Sequence, residues 1–432
     1  MPATTYSTLA CDVRTYIAEK TLSIAAKELR FYQLGDKADL PERFGKTFQY
    51  TRYDRLALPT ATLTEGTAPA ATALSISVVT AVAEQWGGLV TLTDVAELTI
   101  AHKPLQKAIE LLGHQAAETI DREVYKVLMA GTNVWFGSAA DDSNRAAVAT
   151  NAVTQENALR AIVADLRNKG ARGMEAPEKA FDDPGLGDMY VGVIDPYVEM
   201  DITTMAGFIN SNQYANAKRL WNGEAGTLHG VRWLRTNVIP TITSLATIVG
   251  THVTSGGALG TVAAVYNFVI TGVDVNTGYE RLISQESSLT LATVATAIGR
   301  IDLTMPTDTA FTYNVYGNTT LATQSPGQER LILSGLAAGA TTAIASLAAA
   351  TAALVPPLPA SANSKIHTSF IFGKEAYTVV NLKGLQSYLT PPGPSESDPL
   401  AQRRHCGWKV FFKSVINNNN FFARYEAEST FD

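Results

Sequence analysis

From Pro104 to Ala130, apolar residues recur at steps of three and four: Leu105, Ala108 with Ile109, Leu112, Ala116, Ile120, Val124, and Val127 with Leu128. That period predicts one long amphipathic helix. Pro104 suits its first turn, and Gly131 is placed to close it as a left-handed cap. At 1.5 Å per residue such a helix is about 40 Å long. A compact globule of this chain length has a radius of gyration of only about 22 Å. The helix must therefore run the length of a domain, with the remaining elements arranged along it. Just upstream, Asp94 followed by Glu97 reads as a capping-box-like start.

Before that helix, 46–55 (KTFQYTRYDR) alternates, with Phe48 and Tyr50 on one face and Thr47, Gln49, Thr51 and Tyr53 on the other. This predicts a strand, and 74–82 (LSISVVTAV) predicts a second. Between them, 56–73 carries Pro59 and Pro69 and no helical period. Loops longer than about 12–15 residues are uncommon in compact domains unless they have a task. A hairpin with a tip of small residues buries little of itself, so it is expected to lie on another surface. Further upstream, Leu9, Val13, Ile17, Leu22, Ile24 and Leu29 suggest one or two helices over 6–34, ended by Gly35, Asp36 and Pro41.

Downstream, 154–169 predicts an amphipathic helix begun at Thr154, and 189–194 a strand. Asp195-Pro196 then opens another helix, and 228–239 alternates as a strand. Near the end, 365–372, 409–416 and 420–425 read as strands, with a short helix expected at Lys374–Leu382. The stretch 240–363 differs in composition: Thr, Ala and Gly dominate, and 236–273 and 331–364 contain no Asp, Glu, Lys or Arg. Its short alternating runs, with Asn-Thr-Gly and Thr-Asp turns, suggest a small β-sandwich similar to immunoglobulin or fibronectin modules. The uncharged runs are broken by Pro240, Gly256-Gly257 and Pro356-Pro357, so neither reads as membrane-spanning.

Chemistry is hard to find. Gly45-Lys46-Thr47 resembles the tail of a phosphate loop, but the glycine required five residues earlier is Leu40. Gly185-Leu-Gly187 precedes a strand instead of following one. His102, His114, His229, His252, His367 and His405 show no paired metal-ligand spacing, and Cys11 and Cys406 lie almost a chain length apart. Asp141-Asp142 and Asp182-Asp183 read as solvated turn formers. No catalytic residue, cofactor or metal is expected. The net charge of −6 gives no general footprint for nucleic acid. One basic cluster stands out, Arg403-Arg404-His405 with Lys409 and Lys413, where ion pairing across a subunit contact is the expected use.

The order of parts resembles the HK97-type fold of tailed-phage major capsid proteins, and the wording is similar to the N4-like branch. The words are Gly45-Lys46-Thr47 through Tyr53-Asp54-Arg55-Leu56, Leu63-Thr64-Glu65-Gly66 and Gln85-Trp86-Gly87. Gln115-Ala116-Ala117-Glu118-Thr119-Ile120-Asp121 follows on the long helix. Phe372-Gly373-Lys374-Glu375-Ala376-Tyr377, Asp398-Pro399-Leu400 and Gly407-Trp408-Lys409 close the set. The resemblance covers about 40–240 and 365–430. It implies an α+β fold with an N-terminal arm (1–45), an extended loop (46–92), a spine helix with peripheral domain (93–153) and an axial domain (154–239). An inserted all-β domain (240–363) and closing strands (364–432) complete it.

On that resemblance the chain is expected to be a structural protein without enzymatic activity. It would self-assemble as pentamers and hexamers into an icosahedral head around double-stranded DNA, in the host cytoplasm. Portal, scaffolding and decoration proteins are the expected partners, with no membrane. Arg52, Asp54, Arg55 and Glu65 on the hairpin, and Arg403, Arg404 and Lys409 near the end, are the candidate inter-subunit contacts. Two other structural roles compete: an encapsulin-type compartment shell and a phage tail or fibre protein with an adhesion module. A soluble enzyme would require a deep pocket.

Overall fold

The computed structural model describes residues 28–41, 43, 45–53, 56, 73–99, 104–137, 154–174, 189–213, 223–245, 251–253, 265–284, 287–290, 300–317, 330–344, 365–389 and 402–431. The first half contains α1 (Phe31–Leu34), β1 (Asp36–Asp39), β2 (Thr47–Tyr53), β3 (Ile76–Val82), β4 (Glu84–Thr93), α2 (Asp94–Thr99) and α3 (Pro104–Met129). Next come β5 (Val134–Phe136), α4 (Glu156–Asn168), β6 (Tyr190–Ile194), α5 (Pro196–Thr204), β7 (Ile209–Asn210), β8 (Glu224–Leu228) and β9 (Val231–Arg235). The low-charge stretch holds β10 (Ile242–Leu245), β11 (Thr251–Val253), β12 (Val265–Asp274), β13 (Glu280–Ser284), β14 (Ser287–Thr290), β15 (Arg300–Thr304), β16 (Phe311–Gly317), β17 (Arg330–Leu336) and β18 (Thr341–Ile344). The chain closes with β19 (Lys365–Phe372), β20 (Tyr377–Leu389), β21 (Arg403–Ile416) and β22 (Phe422–Ala427). Two compact units result, one from 1–128 and 375–418, the other from 129–374 and 419–432.

The first unit is built on a four-stranded sheet in the order β1-β20-β21-β4. Alternation along β21 buries Cys406, Trp408, Val410 and Phe412. The Trp408 indole N–H donates to Gln115 Oε1 on α3 at 3.1 Å. A side chain at Gly88 would come within 2.4 Å of the same Gln115 oxygen, so glycine is required where strand and helix meet. Helix α3 buries Ala108, Ile109, Leu112, Ala116, Ile120, Val124 and Leu128, the stripe expected from its period.

In the second unit one long sheet runs β17-β16-β12-β13-β10-β19-β6-β9-β8-β7, with β14 on β12, β22 on β19 and β5 on β22. Leu159, Ile162 and Leu166 of α4 and Val198 and Ile202 of α5 pack with Tyr190, Val231, Trp233 and Tyr425 of that sheet. Asp195 caps α5, its side chain accepting from the Tyr197 and Val198 amides, with proline in the first turn as expected. The shorter sheet β11-β15-β18 shares a core with the long one: Ile301, Leu303 and Ile344 meet Phe268, Ile270, Tyr313 and Val315. The low-charge stretch thus stacks two sheets over one core. It is also continuous with its surroundings, because β10 pairs antiparallel with β19.

Several local expectations are corrected. Lys374–Leu382 is not a helix: after a turn with Glu375 at φ 63, Tyr377 begins the strand β20. The run Tyr377-Thr-Val-Val favours strand, and Tyr377, Val379 and Val380 are buried in mid-sheet. Gly131 is not left-handed. Instead the buried Arg424 guanidinium donates to the Met129 carbonyl at the helix end, where a cation complements the dipole. Thr93, not Asp94, caps α2, its hydroxyl accepting from the Ala96 amide at 3.3 Å. Helix α4 begins at Glu156, with Gln155 at its N-cap position making no side-chain cap bond, while Thr154 is buried ahead of it.

The 228–239 run divides at His229-Gly230, whose φ values of 51 and 83 fit a tight hairpin turn between β8 and β9. Val231 through Leu234 are all buried, so β9 is an interior strand and does not alternate. The 409–416 strand extends back to Arg403 as β21. The helix expected over 6–34 lies mostly outside the described residues, as do the two aspartate pairs.

Candidate assembly surface

Among the described residues, strands β2 and β3 pair only with each other, from Thr47↔Val82 to Tyr53↔Ile76. A two-stranded ribbon is at best marginally stable alone in water. The alternation expected for 46–55 holds, with Thr47, Gln49 and Thr51 exposed and Phe48 and Tyr50 half-buried. Beside the exposed threonines and glutamine, β3 presents Ile76, Val78 and Val82, which are 51%, 55% and 40% exposed. Leu74, just before the strand, is 63% exposed. One face of the ribbon therefore leaves a row of branched apolar side chains in water. Its base is fastened by the Ala83 amide donating to the Lys46 carbonyl, and by Arg52 Nη1 donating to the Asn417 carbonyl at 3.1 Å.

The arm residues at α1 are held differently. The Asp121 carboxylate, fully buried on α3, accepts from the Arg30 amide at 2.5 Å and the Tyr32 amide at 2.9 Å. Tyr377 donates its hydroxyl to the Phe31 carbonyl, and the Phe31 ring packs near Tyr125. Burial pushes the Asp121 carboxyl up to about 6, against the opposing pull of the backbone amides and Arg30. At the surface His114 Nδ1 lies 2.6 Å from Glu28 Oε1. The periodicity of α3 concealed this anchor. Asp121 falls four residues after Ala117 on the buried stripe, so a carboxylate at an apolar position was the available signal.

The candidate ionic contacts are scattered. Arg52 is used within its own chain, while Asp54, Arg55 and Glu65 lie outside the described residues. Arg403 is exposed and Arg404 half-buried at the start of β21, and each has a partner. Lys409 Nζ sits 4.7 Å from the Phe411 ring centre, and Lys413 pairs with Glu84 at 2.8 Å. The structure does join three of the quoted sequence words: Trp86 and Gly87 pair with Val410 and Lys409, and Trp408 bonds Gln115. Among the described residues no group of three or more His, Cys, Asp or Glu converges as for a metal, and no helix is long and apolar enough to cross a membrane.

The sequence matches no family model and no curated protein. Among solved structures, the capsid of Ralstonia phage GP4 is similar, with 11% identity, 94% of this chain and 92% of that chain covered, and a TM-score of 0.52. The fold is that of a phage capsid protein. The cyanophage Pam1 capsid also aligns, at 10% identity and TM-score 0.47 over 95% of this chain and 93% of the other. The capsid of cyanophage P-SCSP1u aligns at 13% identity and TM-score 0.44, over 91% and 87%.

Proposed function

We propose that this chain is the major capsid protein of a tailed phage, self-assembling into the icosahedral head that encloses packaged double-stranded DNA. The observation that carries this reading is the ribbon. Its apolar row of Leu74, Ile76, Val78 and Val82 is about half exposed among the described residues. Full burial of such a side chain is worth about 1.5–3 kcal/mol. Covering the exposed half of four gives roughly 3–6 kcal/mol per ribbon before association costs. Heterologous contacts repeated around a ring use that surface in every copy.

The role is structural and not enzymatic. The mature location is the virion head, after assembly in the host cytoplasm, with portal, scaffolding and decoration proteins as partners. On its quoted words the chain belongs with the N4-like branch, and the low-charge insert faces the exterior. Arg403, Arg404 and Lys409, with the hairpin charges, supply polar contacts around the apolar ones. Negative-stain electron microscopy of the purified chain tests the reading. Closed shells are expected. Rods, trimers or a small soluble oligomer would point to a fibre protein or an enzyme, and a peroxidase-like gene neighbour would point to an encapsulin.

A further inference from the structure

The four-stranded sheet treats its two open edges differently. At one end β1 has four residues, of which Asp36, Lys37 and Asp39 are charged. Short, charged edge strands discourage further pairing. At the other end β4 has ten residues, EQWGGLVTLT, with no charge after Glu84 and no proline. β21 covers one side of β4, from Glu84↔Phe412 to Thr93↔Arg403. Among the described residues no strand pairs with the other side. Ten extended residues amount to about 34 Å of backbone, with alternate residues aiming their amide and carbonyl groups away from β21. Leu89 in this strand is 68% exposed, and Val95 and Leu98 in the helix that follows are 63% and 86% exposed.

We propose that β4 is covered by β4 of a second copy, the two strands running antiparallel about a two-fold axis at Leu89. This rests on the shell-forming reading and adds a specific contact to it. The occupant follows from the sequence of the strand. A two-fold at Leu89 sets Val90 opposite Gly88, Thr91 opposite Gly87, Leu92 opposite Trp86 and Thr93 opposite Gln85. Over 85–93 side chains meet glycines, apolar or uncharged polar partners, while Glu84, which pairs with Lys413, falls opposite Asp94 at the two ends. Each pair joins residues of the same parity, so the exposed odd-numbered face and the half-buried even-numbered face both continue across the junction. Pairing with β1 of another copy would instead set Asp36, Lys37 and Asp39 along an apolar strand. The contact is isologous, as a two-fold requires.

The test uses the full-length chain. Leu89→Arg alone and Leu89→Glu alone should each lower shell yield about tenfold or more, because like charges then face each other across the axis. Co-expression of the two variants should restore the yield. Unchanged circular dichroism of soluble Leu89→Arg separates lost assembly from lost folding. In oxidised Leu89→Cys protein, peptide mapping should find position 89 linked to position 89 of a second chain. Normal assembly of Leu89→Arg, failure of the mixed pair to recover, or linkage of position 89 to the ribbon would each overturn the proposal. Should the wild type form no shells, the shell reading falls, and the Leu89→Cys mapping still decides the pairing.

Discussion

Replacing Asp121 by asparagine isolates the anchor that holds the α1 segment to α3. The shift from 3.8 to about 6 is roughly two pH units. At 1.36 kcal/mol per unit it corresponds to about 3 kcal/mol between the folded and unfolded chain. The sign follows from the direction. Between pH 4 and 6 the unfolded chain leaves Asp121 ionised while the folded form keeps the proton, so folding takes up a proton. The fold is therefore most stable below pH 4 and loses about 3 kcal/mol as the pH rises through 6.

The Asp121→Asn side chain does not titrate, so the substitution should remove most of that slope. It also offers a single acceptor oxygen to two amide donors, which costs about 1–3 kcal/mol at pH 7, where the wild-type carboxylate accepts both. Denaturant unfolding at pH 4.5 and 7.0 reads the difference. The charged groups around the anchor are Arg30, Asp36 and the Glu28–His114 pair. A His114→Gln background removes the imidazole that pairs with Glu28. Equal pH dependence in wild type and Asp121→Asn would refute the argument.

Other perturbations reach different parts of the molecule. Val78→Asp should abolish shell formation while leaving the subunit's circular dichroism intact, since Val78 is exposed in the single chain. Gly192→Ala should lower thermal stability by about 1–3 kcal/mol, because a Cβ there would stand 2.4 Å from the Trp233 ring. Arg424→Met should cost about 3–5 kcal/mol in denaturant unfolding, because it strands Glu426 as a buried charge. Asp195→Ala removes both the α5 cap and the 2.7 Å partner of buried His367, a loss of about 2–4 kcal/mol in the same assay.

Periodicity along the chain is a local property, and it determined the 104–129 helix, the alternation of the ribbon and the Asp195-Pro196 helix start without help from anything distant. The resemblance to capsid proteins likewise drew on short words read in order. Tertiary structure decided the pairings. It made β20 a central strand where Lys374-Glu375 had suggested a helix turn, and it ran the low-charge insert into the main sheet through β10 and β19. It also turned Asp121 from an oddity on an apolar stripe into the fastening of the arm, and gave the helix end to Arg424, nearly three hundred residues away in sequence. Face and period follow from neighbours within a turn or two. Which strand lies beside which, and which buried charge meets which amide, depends on distant segments whose pairing leaves no periodic trace in either one alone.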